Sequence, residues 1–196
     1  MINFFRPEYN PNPCTHKTKV VKEQDYSCYK FFIDPSSYNK SEIVQYIRNL
    51  YTSEPTHSTK FLSCWQTNYF LHKTTNFLDQ LIQIINLKSS AIIDLNNGYK
   101  LQVAETWAAV YQKGDYTDLH GHGRHCHYSG VLYLETDIDH PPLIFEDGYT
   151  ANCSENYLYI FSSEYKHMVP VNQIDKLRII LGINLYIIPS ICHESN

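Results

Sequence analysis

The 196-residue chain lacks any apolar run approaching the length of a membrane span. Its start, Met1-Ile-Asn-Phe-Phe-Arg6, lacks the architecture of a secretion signal. No membrane partner is expected, and the compartment expected is the cytoplasm, or the host cytoplasm if the chain is viral. Cys-x-x-Cys pairs are missing too. The six cysteines, at positions 14, 28, 64, 126, 153 and 192, stand singly. This spacing indicates neither a zinc ribbon nor a thioredoxin-type motif, and without a secretion signal the thiols read as reduced. Charged residues are sparse at 18%, and the net charge of -4 argues against a broad basic face for sequence-independent nucleic-acid binding. Internal repeats and low-complexity tracts are absent, so the chain reads as one domain.

Hydrophobic residues reach 43%, which fits a folded globular protein. Tyrosine is abundant, with 17 copies among 14% aromatics, and such side chains suit the pleated surface of β-strands. Residues 1–30 show no clear period and read as an extended arm. Lys30–Asp34 is compatible with a short strand. Ile43, Ile47, Leu50 and Tyr51 have helical spacing within 41–51, with Asn39 or Ser41 as N-cap. A second helix is expected over 75–87. After Asn96-Asn-Gly98 the period becomes two, over 101–112, 128–135, 142–146, 157–162, 167–171 and 177–188. Helices do not alternate with these strands, which disfavours a doubly wound α/β fold. The fold class expected is mainly β with N-terminal helices: an arm and supporting helices over 1–98, then a β-sandwich or jelly-roll core over 99–188.

The densest chemistry lies in His120-Gly-His-Gly-Arg-His-Cys-His127, which holds four of the 10 histidines just before the apolar run Ser129–Leu134. On an extended backbone, side chains two apart face the same way, so His120 and His122 can offer two imidazoles to one ion. A distant third ligand would close the site. A solvated histidine-rich loop is the plain alternative. His167 follows the strand ending Tyr159-Ile-Phe-Ser-Ser163. In the last strand Arg178, Ile180, Gly182 and Asn184 share one face. Burying Arg178 among such neighbours is costly unless it meets an anion, and its planar fork suits a carboxylate. An edge-strand arginine facing solvent is the competing reading.

The order Tyr-x-x-Gly…His-x-His…Ser-Gly-x-x-Tyr-Leu…Phe…Ser…His…Arg…Asn, over roughly 105–188, resembles the 2-oxoglutarate- and Fe(II)-dependent oxygenases of phages and marine bacteria. It is more distantly similar to the prolyl 4-hydroxylases. The resemblance implies a double-stranded β-helix (jelly-roll, cupin-like) core forming one oxygenase domain, with Fe(II) as cofactor and 2-oxoglutarate and O2 as cosubstrates. Hydroxylation of a C–H bond would release succinate and CO2. The substrate implied is a peptide or protein side chain, or a small molecule. On this likeness His120, His122 and His167 hold the metal, and Arg178 pairs with the distal carboxylate of 2-oxoglutarate. Tyr133 hydrogen-bonds the same carboxylate, Tyr111 lies near the iron and the other end of the cosubstrate, and Asn184 lines the pocket. No catalytic residue is implied beyond the metal centre.

The sequence departs from the family where His122 stands in place of the usual carboxylate. Three neutral histidines would leave the metal its full 2+ charge, which dianionic 2-oxoglutarate can neutralise. Asp118 shares parity with His120 and is an alternative ligand, and Asp115 a weaker one; His125 or His127 is a further alternative, set against a solvated loop, and Cys126 is weaker still. His16, His57, His72, His140 and His193 read as ordinary surface or turn histidines. Two other classes stay open: a three-histidine cupin-like dioxygenase that uses no 2-oxoglutarate, and a non-enzymatic jelly-roll binding module.

Overall fold

The computed structural model describes residues 21–22, 28–57, 61–93 and 98–190. Most of the expected N-terminal arm, with His16, lies outside the described residues, as does His193.

Among the described residues, eleven strands form two antiparallel sheets. The larger sheet takes β1 (Val21–Lys22), β2 (Cys28–Phe32), β3 (Trp65–Gln66), β4 (Tyr99–Tyr111), β6 (Tyr128–Glu135), β9 (Tyr157–Ser162) and β11 (Arg178–Pro189) in the order β1-β2-β9-β6-β11-β4-β3. The smaller takes β5 (Thr117–His120), β7 (Leu143–Phe145), β8 (Thr150–Ala151) and β10 (His167–Val169) in the order β5-β10-β7-β8. This is the jelly roll that the alternating C-terminal half predicts. The N-terminal half does more than support it, because β1, β2 and β3 extend both edges of the larger sheet.

Period-two burial gives the larger sheet two apolar faces. On one, Leu132, Leu134, Leu158, Ile160, Ile179, Leu181 and Ile183 pack with Ile43 and Ile47 of α1 (Lys40–Ser53) and Leu81 and Ile85 of α3 (Asp79–Ser89). Burying each such side chain contributes roughly 1.5–3 kcal/mol before the entropy of ordering it is counted. The other face presents Ala109, Tyr111, Val131, Tyr133, Tyr159, Phe161 and Ile180 to Leu143, Phe145, Ala151 and Val169 of the smaller sheet.

Helix α1 starts at Asn39, whose Oδ1 accepts from the Glu42 amide while its own Nδ2 donates to the Glu42 carboxylate, a reciprocal cap. Helix α3 begins at Asp79, later than the periodicity suggests, because the Thr75 hydroxyl accepts from Phe77 N and holds a turn there. A short helix, α2 (Leu71–Thr74), precedes it. Among the described residues no helix is long and apolar enough to cross a membrane. Cys64, Cys126 and Cys153 are buried free thiols, and Cys28 is buried as well.

Candidate metal centre

Antiparallel pairing of β5 with β10 sets His120 directly opposite His167. Their ring centroids are 4.5 Å apart. His122 arrives differently. Strand β5 ends at His120, and His122 has helical backbone angles (φ -89°, ψ -7°), so strand alternation does not bring it to its partner. A clamp does. The carbonyl of Ser163 accepts from the amides of His122 and Gly123, and the buried Ser163 hydroxyl donates to the carbonyls of Gly123 and Cys126. Gly123 takes φ +59°, a left-handed value that suits glycine, and so lets the chain reverse at this clamp. The His122 ring then stacks on that of His167 at 5.4 Å.

One nitrogen from each of His120, His122 and His167 lies within 4.8 Å of the others, a spacing that fits one divalent ion. Nδ1 of His120 meets the carbonyl of Asp118 at 2.9 Å, and Nδ1 of His167 meets that of Tyr165 at 3.0 Å. Backbone carbonyls only accept, so both rings carry their proton on Nδ1 and turn an unprotonated Nε2 toward the cluster. The other candidate ligands lie elsewhere. Asp118 is exposed and contributes only its carbonyl. The Asp115 carboxylate accepts from Gln112 N within its turn. His127 Nδ1 accepts from Ile187 N. His125 is exposed, and its carbonyl accepts from the Tyr186 hydroxyl. Cys126 is buried against Ser129.

Burial sets the protonation of the cluster. It depresses His167 to about 3 and His122 to about 4, with repulsion from the neighbouring imidazoles adding to both, and it lowers His120 as well. All three rings are therefore neutral ligands at neutral pH. In the unfolded chain the same rings titrate near 6.5, so between the two values the unfolded state holds more protons. Stability then rises with pH across that window and is lost as pH falls. The metal-free protein is expected to melt at progressively lower temperature as pH drops from about 7 to about 5, whereas a His167→Asn variant gives a flatter profile. Equal slopes in scanning calorimetry would mean that His167 does not titrate in this way.

The second half of the site lies on the larger sheet. Arg178, at the start of β11, is 1% exposed. The Tyr111 and Tyr133 rings lie 4.8 and 5.1 Å from its guanidinium. Its Nη1 donates to the Pro141 carbonyl at 3.1 Å. Among the described residues its Nε and Nη2 have no hydrogen-bond partner, and neither does the buried Tyr133 hydroxyl. Burial holds the Tyr133 phenol well above its usual range, so it remains a donor. Two guanidinium nitrogens and one phenol thus form an unfilled donor set, which suits a carboxylate.

Tyr111 belongs to this arginine end. Its hydroxyl pairs with Thr117 Oγ1 at 2.7 Å. Asn184, on the same face as Arg178, has both amide atoms engaged: Oδ1 accepts from Ser129, and Nδ2 donates to Glu105.

Several residues here have no signal in the sequence. Trp107 stands over Gly182, where an added Cβ would lie 2.3 Å from the indole, and its ring is 5.8 Å from that of His122. Phe61 stacks on His120 at 6.3 Å. His140, expected as a surface or turn histidine, closes a turn with Asp137 but is 4% exposed. Its Nδ1 accepts from Asp137 N and its Nε2 meets the Lys176 carbonyl, so it ties the end of β6 to the approach of β11. The next residue is Pro141, whose carbonyl holds Arg178.

No protein-family model matches the sequence, and no curated protein matches it either. Solved structures do match. The viral collagen prolyl hydroxylase of Paramecium Bursaria Chlorella virus-1, in its 2OG complex, aligns with TM-score 0.61 and 14% identity over 82% of this chain and 96% of its own. A Pseudomonas putida prolyl-4-hydroxylase aligns with TM-score 0.62 and 17% identity over 83% and 94%. The chain has the fold of the 2-oxoglutarate- and Fe(II)-dependent oxygenases. The epimerase SnoN of nogalamycin biosynthesis, in complex with Fe3+, alpha ketoglutarate and nogalamycin RO, shares that fold, with TM-score 0.62 and 9% identity over 82% and 79%.

Proposed function

We propose that this chain, as a single domain, is an Fe(II)- and 2-oxoglutarate-dependent oxygenase that hydroxylates a C–H bond of a peptide side chain or small molecule. One observation carries the reading. An open three-histidine cluster shares the space between the two sheets with a buried arginine whose Nε and Nη2 have no partner. Together they match a dicarboxylate that meets a metal at one end and a cation at the other.

His120, His122 and His167 would hold Fe(II), leaving positions open beside them. Bound together, iron, O2 and 2-oxoglutarate supply the oxidising power: substrate, O2 and 2-oxoglutarate give hydroxylated substrate, succinate and CO2. The chain's part is placement and exclusion of water. Arg178 and the Tyr133 hydroxyl receive the distal carboxylate in a dry pocket, where charge-assisted hydrogen bonds are strong. Tyr111 and Tyr133 bracket the guanidinium and fix its plane. Three neutral imidazoles would leave the metal its full 2+ charge, and the cosubstrate brings one carboxylate to the metal and the other to Arg178.

A three-histidine dioxygenase that uses no 2-oxoglutarate would leave those Arg178 and Tyr133 atoms unexplained. Anaerobic loading with Fe(II), followed by 2-oxoglutarate, separates the two readings. A visible metal-to-ligand charge-transfer band is expected to grow in and saturate with 2-oxoglutarate. Iron binding without a band would discard the oxygenase reading in favour of the dioxygenase.

A further inference from the structure

Beyond Trp107 and the histidines, the inner face of the larger sheet ends in a carboxylate. On β11 the residues of this face run Arg178, Ile180, Gly182, Asn184, paired across β4 with Tyr111, Ala109, Trp107 and Glu105. Arg178 and Asn184 are six residues apart, roughly 20 Å along the strand. Trp107, at the Gly182 pair, abuts His122. The metal cluster therefore stands between an arginine at one end of the face and Glu105 at the other.

Glu105 is held rigidly. Its Oε2 accepts from Asn184 Nδ2 at 2.6 Å, and Asn184, itself 4% exposed, is fixed by Ser129. The Glu105 side chain is half-buried, and among the described residues no lysine or arginine pairs with it. A neutral amide compensates only part of the cost of desolvating a carboxylate. Trp107 lies two residues along the same strand face, about 7 Å away at Cβ, and Tyr69, 37% exposed, meets the Trp107 ring edge-on at 5.1 Å. An anchored carboxylate beside aromatic faces is a cation-recognising arrangement.

We infer that the substrate carries a positive charge, as an ammonium or guanidinium group, and binds with that charge on Glu105 beside Trp107 and Tyr69, on the opposite side of the histidines from Arg178. This assigns the two ends of the site by sign: the anionic cosubstrate goes to Arg178 and the cationic substrate to Glu105. The inference rests on the oxygenase reading only in placing the reacting carbon at the histidine cluster.

The test uses N-acetyl-lysine methylamide and N-acetyl-norleucine methylamide, which lacks the ammonium group, as ligand-observed NMR probes. Both are titrated into the metal-free chain and into the chain loaded with Zn(II) and 2-oxoglutarate. The lysine probe is expected to bind at least about 10-fold more tightly than the norleucine probe, with the gap narrowing as salt rises. Glu105→Gln keeps the acceptor for Asn184 and removes the charge, so it is expected to close the gap to within about 2-fold. Equal affinity for the two probes, no binding of either, or a gap that survives in Glu105→Gln overturns the inference. If the metal-free chain prefers lysine but the chain takes up no metal or 2-oxoglutarate, the oxygenase reading fails while the cation site stands. If both load and no preference appears, the reverse holds.

Discussion

Replacing Arg178 by methionine is expected to move two quantities in opposite directions: 2-oxoglutarate affinity collapses, and the metal-free protein becomes more stable. Arg178 is charged at every accessible pH, is 1% exposed and has one carbonyl partner, with Nε and Nη2 unpaired. Without an anion it is a buried, incompletely solvated charge. Substituting a well-packed apolar side chain for such a group is commonly neutral or stabilising, by about 1–4 kcal/mol. For a chain of this size each kcal/mol corresponds to roughly 2–4 °C in melting temperature. The same substitution removes the partner of a desolvated carboxylate. That loss typically costs about 2–5 kcal/mol, or roughly 30-fold to several thousand-fold in affinity. Calorimetric melting without ligand and titration with 2-oxoglutarate read the two effects separately. A variant that melts much lower yet binds 2-oxoglutarate normally would make Arg178 a packing residue and undo the assignment.

This opposition explains why so costly a residue is readable in the sequence. The arginine stands in the otherwise apolar run Leu177-Arg-Ile-Ile-Leu181, where an extended backbone puts it on the face of Ile180 and Gly182, and the structure keeps that parity across β4. Strands β6 and β9 are legible for the same reason: each is a nearly continuous apolar run bounded by turns. Strand β5 is not, because Thr117-Asp-Leu-His120 has a single apolar residue, Leu119, and that residue faces solvent. The two-residue strands β1, β3 and β8 are too short to carry a period at all.

The site was legible in its residue types more than in its geometry. Two histidines at alternate positions suggest a shared strand face, but the Ser163 clamp delivers His122 from a turn. Tyr111 carries a hydroxyl of the right kind, yet only the register of β4 against β11 puts its ring on Arg178. His140 was invisible because its burial comes from a contact with Lys176, 36 residues away, that no local pattern encodes. No local pattern marks Glu105; its meaning comes from Asn184 across the ladder.

Removing one metal ligand should have the largest effect of all. Loss of an outer partner of a metal-bound histidine costs about 10–100-fold in affinity, so truncating a ligand itself is expected to exceed about 100-fold. His120→Ala and His167→Ala should each lose Fe(II) to that extent in anaerobic titration, and the 2-oxoglutarate charge-transfer band should vanish with it. Asp118→Asn is the informative companion. Its carboxylate lies outside the cluster, and only its main-chain carbonyl orients His120, so its affinity should stay within about 2-fold of the parent. His122→Asp asks a further question. It exchanges a neutral ligand for an anion, so the metal and its ligands present one positive charge rather than two to the chelating end of 2-oxoglutarate, whose distal carboxylate is paired with Arg178. Cosubstrate affinity should therefore fall in His122→Asp while Fe(II) affinity holds or rises, a split that loss of a ligand cannot mimic. If Asp118→Asn loses the metal and His122→Ala keeps it, the third ligand is the aspartate.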